Sequence, residues 1–262
     1  MKGAVLAGGL GTRLRPLTYA TSKHLLPVFD RPMVYYPIDT LVRAGVDDVI
    51  VVTGGPHAGD YLHVLGNGRH LGLRHLEYTY QEHEGGIAEA LALCEAFADG
   101  GPLAVILGDN TTDADIRPAV EGFAGGALVF LRHVHDPERY GCPVFDPADP
   151  ARILRIEEKP AAPRSDYAVS GLYIYDGRVF DYITRLKPSG RGELEITDVN
   201  NFYLADGLLR WTELEGYWSD AGTFESLYRS SVFWAEKYFN GVDTGVDTGV
   251  DGAPARETAT RR

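Results

Sequence analysis

Lys2-Gly3-Ala4-Val5-Leu6-Ala7 runs without interruption into Gly8-Gly9-Leu10-Gly11-Thr12-Arg13-Leu14-Arg15-Pro16. A short run, apolar from Gly3 to Ala7 and ending on a glycine-rich turn, reads as a buried strand that delivers a loop. Without a Cβ in the way, the glycines allow a tight turn that brings several backbone N–H groups near one anion. Arg13, Arg15 and, a few residues on, Lys23 add fixed positive charge. The whole chain carries a formal net charge of −12, so this cationic cluster opposes the global balance and marks a local anion site. Neither of two familiar phosphate loops is matched. The dinucleotide fingerprint wants a third glycine where Leu14 stands, and the P-loop wants Gly-Lys-Ser/Thr, which does not occur.

The rest of the chain supplies companions for that first strand. Asp48–Thr53 and Leu103–Leu107 read as buried strands, and Leu76–Gln81 alternates in the manner of a third. Between them, a helix is expected to open at Pro32 and stop at Gly45, and another to run from about Gly86 to Phe97. Strands alternating with helices predict a largely parallel sheet covered on both faces. The second half is richer in strands, at Ala127–Val134, Arg152–Glu157 and Tyr167–Tyr175, followed by helical stretches near Phe180 and Ile196. With no linker between the halves, these strands are expected to extend the same sheet in a single domain over residues 1–239. From Asn240 the repeat Gly-Val-Asp-Thr-Gly-Val-Asp-Thr-Gly-Val-Asp-Gly has too little apolar surface to fold, so residues 240–262 are expected to be a disordered tail.

An acidic composition argues against nucleic acid or an anionic membrane as partner. Cys94 and Cys142 have no metal or redox spacing and are expected to be plain buried residues. No apolar run approaches membrane-spanning length and no signal peptide is read before the first strand, so a cytoplasmic location is expected.

Two acids stand where chemistry would need them. Asp109, in Leu107-Gly108-Asp109-Asn110, lies just after the strongest apolar strand, and ligand crevices of open α/β sheets lie outside the carboxyl ends of strands. Asp220 stands in Trp218-Ser219-Asp220-Ala221-Gly222-Thr223, just before an expected helix. Either could simply be a turn or cap residue. A carboxylate beside a polyphosphate loop would repel the ligand unless Mg²⁺ sat between them, and two such acids could share one ion. Glu158-Lys159-Pro160 closes a strand and reads either as exposed surface or as a sugar-phosphate contact.

The order of these motifs resembles that of the sugar-nucleotide pyrophosphorylases, and within them the glucose-1-phosphate thymidylyltransferases (dTDP-glucose pyrophosphorylases) in a short form. The resemblance rests on Gly8–Leu14 with Pro16-Leu17-Thr18, Ser22-Lys23-His24-Leu25-Leu26-Pro27-Val28, Gln81 with Gly85-Gly86-Ile87-Ala88, and Leu107–Asn110. It continues through Asp136-Pro137-Glu138-Arg139-Tyr140-Gly141, Glu157–Pro160, Tyr167–Tyr173, Arg191–Asn200 and Trp218–Thr223, and so covers nearly everything from Met1 to about Phe239.

This resemblance implies a Rossmann-like three-layer α/β/α nucleotidyltransferase fold with a mostly parallel, mixed central sheet. It also implies roles. Leu6, Gly8, Gly9, Gly11 and Thr12 would line the nucleotide, with Arg13 and Lys23 on the phosphates and Gln81 and Gly86 reading the base. Gly141, Glu158 and Val169 would contact the sugar and Lys159 its phosphate, while Asp109 and Asp220 would hold Mg²⁺. The catalytic set would be Arg13, Lys23, Asp109 and Lys159. Arg191 and Glu195 receive no catalytic role. The implied substrates are dTTP, or UTP, and a sugar 1-phosphate, first of all glucose 1-phosphate. A UTP-using relative, another sugar, and a catalytically silent sugar-nucleotide sensor stay open, as does homo-oligomerisation. The family's longer members carry extra C-terminal helices, and neither feedback inhibition nor tetramers are expected here. Ser219-Asp220-Ala221 departs from the commoner Leu-Asp-Thr while keeping the acid. No hexapeptide repeat suggests a fused acyltransferase.

Overall fold

The computed structural model describes residues 1–241. Strand β1 (Lys2–Ala7) is buried from Gly3 onward, as a run apolar at every position requires of a strand packed on both faces. A long loop leads to a two-residue ladder of β2 (Pro27–Val28) and β3 (Arg31–Pro32), then to α1 (Tyr35–Arg43), β4 (Asp48–Gly54), α2 (Ala58–Leu65) and β5 (His75–Gln81). Next come α3 (Ile87–Ala92), α4 (Glu95–Ala98), β6 (Leu103–Leu107), β7 (Asn110–Thr112), α5 (Arg117–Glu121) and β8 (Ala127–His133). The second half holds β9 (Gly141–Asp146), β10 (Asp149–Glu158), β11 (Tyr167–Tyr175), α6 (Arg178–Thr184), α7 (Ile196–Ala205), β12 (Leu209–Glu213), β13 (Trp218–Asp220) and α8 (Phe224–Phe239).

Seven strands form the central sheet in the order β12-β8-β11-β6-β1-β4-β5. All run parallel except β11, which is antiparallel to both β6 and β8. The sheet separates two apolar layers, and the period-two geometry of strands decides which residue enters which. Ala4, Leu6, Ile50, Val52, Leu103 and Val105 face α3, α4, α6 and α7, while Val5, Ala7, Val49, Val51, Ala104 and Ile106 face α1, α2 and α5. No helix among the described residues is long and apolar enough to cross a membrane.

The structure corrects several expectations. Pro32 does not open a helix: it pairs with Pro27 across β2–β3, Met33 N and Val34 N donate to Leu26 O and His24 O, and α1 begins only at Tyr35. The proline in its first turn is Pro37, where a missing N–H is tolerated. The helix expected over 86–97 is two short ones, because Cys94 N bonds three residues back to Leu91 O and the backbone turns there. Strand β10 does not extend the sheet but pairs with β9 in a separate hairpin. An edge strand, β12, and the small β7–β13 ladder add to the expected elements. Both cysteines are free and buried. The expected disordered tail, beyond Gly241, lies outside the described residues.

Helix α8 opens on a capping box. Thr223 Oγ1 accepts from Ser226 N at 3.1 Å, and Ser226 Oγ accepts from Thr223 N at 3.0 Å. Ser226 Oγ also donates to Asp220 O at 2.9 Å, so the cap ties the helix to the segment carrying Asp220. Thr223→Ala should lower the unfolding free energy by about 1 kcal/mol in chemical denaturation, and an unchanged midpoint would remove the cap from the helix's support.

Candidate active site

The parallel strands all end on one side of the sheet, and the loops and turns beyond those ends build the site. The loop after β1 brings Gly8, Gly9, Arg13 and Lys23; the end of β5 brings Gln81; the turn after β6 brings Asp109. Because β11 runs the other way, its first residues rather than its last reach the same side, and Val169 arrives there. The end of β10 adds Glu158 and Lys159, and β13 adds Asp220. These residues line one cavity of about 370 Å³. The break in strand order lies at β1, with β4 on one side and β6 on the other, where open α/β sheets place ligands.

Within the β1 loop, Gly11 adopts φ 64°, and a Cβ there would stand 2.6 Å from Lys23 Cβ, so only glycine lets the loop fold against Lys23. On the other flank the Gln81 side chain packs over Gly8, where a Cβ would push its Oε1 aside. Lys23 Nζ donates to Asp109 Oδ2 at 2.7 Å, with both side chains nearly buried. Burial alone would raise the Asp109 carboxyl, but the Lys23 ammonium and hydrogen bonds from Lys23 and Asn110 hold it well below the usual carboxylate range. Asp220 goes the other way. Burial and the neighbouring Asp109 charge push it up to about 6, against the pull of Arg139, whose Nη2 donates to Asp220 Oδ2 at 3.0 Å.

At the opposite end of the cavity Glu158 is held by three neighbours. Thr197 Oγ1 donates to its Oε2 at 2.5 Å, Arg191 Nη2 to its Oε1 at 3.3 Å, and Lys159 Nζ lies 3.4 Å from Oε1. Lys159 has φ 43°, a left-handed conformation that non-glycine residues avoid, directly after β10. Such a conformation persists where surrounding structure enforces it, and Lys159 N bonds to Tyr140 O at 2.9 Å.

Of the residues that the sequence assigns to ligands, all line this cavity except Gly11 and Thr12. Gly11 supports Lys23 from behind, and Thr12 is exposed at the start of a single 3-10 turn. Arg191 lies in the loop before α7 and Glu195 is the residue just before that helix, with no capping hydrogen bond from its side chain; they pair with each other at 2.7 Å, and Arg191 reaches Glu158. Sequence reasoning gives no role to Arg139, Trp218 or His24. Arg139 grips Asp220, and Trp218 Nε1 donates to Asn110 Oδ1 at 2.6 Å beside Asp109. Only contact across distant segments identifies them, and nothing in local spacing could.

His24 is 2% exposed and lines the cavity floor. Tyr61 OH donates to Ala7 O at 3.0 Å, which leaves its oxygen to accept from His24 Nδ1 at 2.9 Å and Ser22 Oγ at 2.7 Å. Burial and the Lys23 charge lower the His24 pKa from 6.5 to about 3, so the ring is neutral through the physiological range. A base whose pKa falls on folding binds its proton more readily in the unfolded chain, so its contribution to stability is lost as pH falls from about 6.5 toward 3. His24→Gln should flatten the plot of unfolding free energy against pH by about 1.4 kcal/mol per pH unit between pH 5.5 and 4. An unchanged slope would mean that the native ring carries its proton.

The profile of the nucleotidyl transferase family matches residues 2–237. A glucose-1-phosphate thymidylyltransferase of Actinoplanes sp. is 46% identical over 250 residues, covering 94% of this chain and 80% of that one. One from Neisseria gonorrhoeae is 44% identical, covering 89% and 82%. A crystal structure from Bacillus anthracis, assigned as a glucose-1-phosphate thymidylyltransferase and holding a sucrose, superposes with a TM-score of 0.83 at 49% identity, over 89% of this chain and 94% of that chain. A UDP-glucose pyrophosphorylase with UDP-glucose shares the fold at a TM-score of 0.79 and 24% identity, covering 90% and 99%. The mixed, mostly parallel sheet, the glycine loop at its centre and the length of these matches lead to one conclusion: the chain belongs to the nucleotidyl transferase family.

Proposed function

We propose that the protein transfers a thymidylyl group from dTTP to glucose 1-phosphate, with Mg²⁺, giving dTDP-glucose and pyrophosphate. The observation that carries this reading is one cavity lined together by a cationic glycine loop, by Glu158 and Lys159, and by Asp109 and Asp220. The names of the relatives supply the base and the sugar.

A nonbridging phosphate oxygen of glucose 1-phosphate attacks the α-phosphorus of dTTP in line. A new P–O bond forms, the bond to the bridging oxygen of the β-phosphate breaks, and pyrophosphate leaves with that electron pair. The attacking oxygen is already ionised at neutral pH, so no general base is needed. What remains for the chain is to hold two anions at reacting distance and offset the charge that develops, the large contributions in this chemistry. Arg13 and Lys23 serve the triphosphate, and Lys159 serves the sugar phosphate. Glu158, fixed by Thr197 and Arg191, is an acceptor for sugar hydroxyls.

Asp109 and Asp220 suit Mg²⁺. Both are oxygen donors, their charges repel across the cavity, and each has one oxygen held by a cation, Lys23 or Arg139. Bound there with the phosphates, the ion would offset the negative charge on the transferring group.

The test is pyrophosphate release with glucose 1-phosphate and each of dTTP, UTP, CTP, GTP and ATP. Release with dTTP above all others is expected, and silence with every pair would overturn the reading. Arg13→Ala should lower turnover by about 10²–10³ with thermal unfolding unchanged, and Asp109→Asn should lower turnover as much while also lowering the unfolding midpoint, since it leaves the buried Lys23 charge without its partner. Near-normal turnover in either variant would take that residue out of the mechanism.

A further inference from the structure

Gln81 has an amide, which could donate or accept, and by itself would read any base edge. Its neighbours remove the choice. Gln81 Nε2 donates to Glu89 Oε2 at 2.6 Å and to the Gly86 carbonyl at 3.2 Å. The same Glu89 oxygen accepts from Gly85 N at 3.0 Å. A carbonyl cannot donate, and an oxygen already accepting from a backbone N–H is acting as an acceptor, so the amide group facing them must be the NH2. Both of its hydrogens are thereby used.

The carbonyl end is left over. Gln81 Oε1 has no hydrogen-bond partner among the described residues and is not one of the sealed, unpartnered polar atoms, which are Ser170 Oγ, Asn200 Nδ2 and Trp234 Nε1. It stands over Gly8 in the cavity. Glu89 is itself fixed, since it sits in the first turn of α3 and folds back under Gly85, where a Cβ would run into its carboxyl group.

We propose that Glu89 is the positioning residue that sets base choice: by fixing the Gln81 amide with its oxygen outward, it makes the site accept an imide N3–H and refuse cytosine. Thymine and uracil carry a proton on N3, which Oε1 can accept. Cytosine presents a lone pair there and would leave two acceptors facing each other. The lock works against cytosine and is indifferent to the thymine methyl, which another part of the cavity must read.

This inference rests on the proposed reading that Gln81 faces the base. Its test compares dUTP with dCTP, which share sugar, phosphates and the absence of a methyl group and differ only at the 4-position and N3. Equilibrium binding of each to the full chain is measured by titration calorimetry, with dTTP alongside. The native protein should prefer dUTP over dCTP. In Glu89→Leu only the longer bond to the Gly86 carbonyl still holds the NH2, so the amide is fixed less firmly, and that preference should fall about tenfold, the size of one hydrogen bond, while the dTTP-to-dUTP ratio stays as it was. Glu89→Gln keeps an oxygen acceptor and should restore most of the preference. A dUTP-to-dCTP ratio unchanged in Glu89→Leu would overturn the lock while leaving Gln81 as the base reader. A native protein without any preference for dUTP would overturn the base-reading role of Gln81 and the lock with it.

Discussion

The ion pair between Lys23 and Asp109 joins the two halves of the site. Lys23 comes from the loop after β1 and Asp109 from the turn after β6, the adjacent strand on the side away from β4, so the 2.7 Å contact closes the crevice at the break in strand order. Buried pairs of this kind add little net stability, because desolvating two charges offsets most of their attraction. Removing one partner is the costly change, since it strands a charge in a dry site. The pair is better understood as a pre-organised pair of opposite charges awaiting ligands of opposite charge. In the proposed reaction a phosphate would take Lys23 and a cation would take Asp109, and neither side chain would have to cross the cavity to meet its ligand.

The same constraint explains why an acidic protein can hold anions. Its formal net charge is −12, yet the cationic groups Arg13, Lys23, Arg139 and Lys159 line one cavity. Three of them touch an acid there: Lys23 meets Asp109, Arg139 meets Asp220, and Lys159 meets Glu158. Each pairing keeps the local charge near balance without ligand. Each also fixes the orientation of its carboxylate.

How much of the molecule is legible in the sequence depends on the range of the forces involved. The continuous apolar runs of β1, β4 and β6 and the glycine loop are local, and the strand assignments there agree with the structure. Pro32 misleads because the pairing that overrides its helix-opening preference, with Pro27, is tertiary. Arg152–Glu157 is a strand in both sequence and structure but belongs to a different sheet from the one expected, since alternation reveals a strand and not its partner. The site residues come from the order of motifs; Arg139, His24 and Trp218 lie within those motifs, but their work is done on residues far away in the chain.

The antiparallel placement of β11 is what turns a nucleotide crevice into a two-substrate site. Parallel strands send only their carboxyl ends to the ligand side, so a sheet made wholly of them supplies loops alone. Reversing β11 between β6 and β8 delivers a strand start, Val169 to Gly171, against the turn that carries Asp109, with Gly171 in a left-handed conformation where the ladder is irregular. The β9–β10 hairpin can then pack over that end and bring Glu158 and Lys159 across from the glycine loop, while α7 behind it supplies Thr197 to hold Glu158. One reversed strand thus sets the second wall of the cavity, and in the proposed reaction the separation of the two walls would set how far apart the two anions lie.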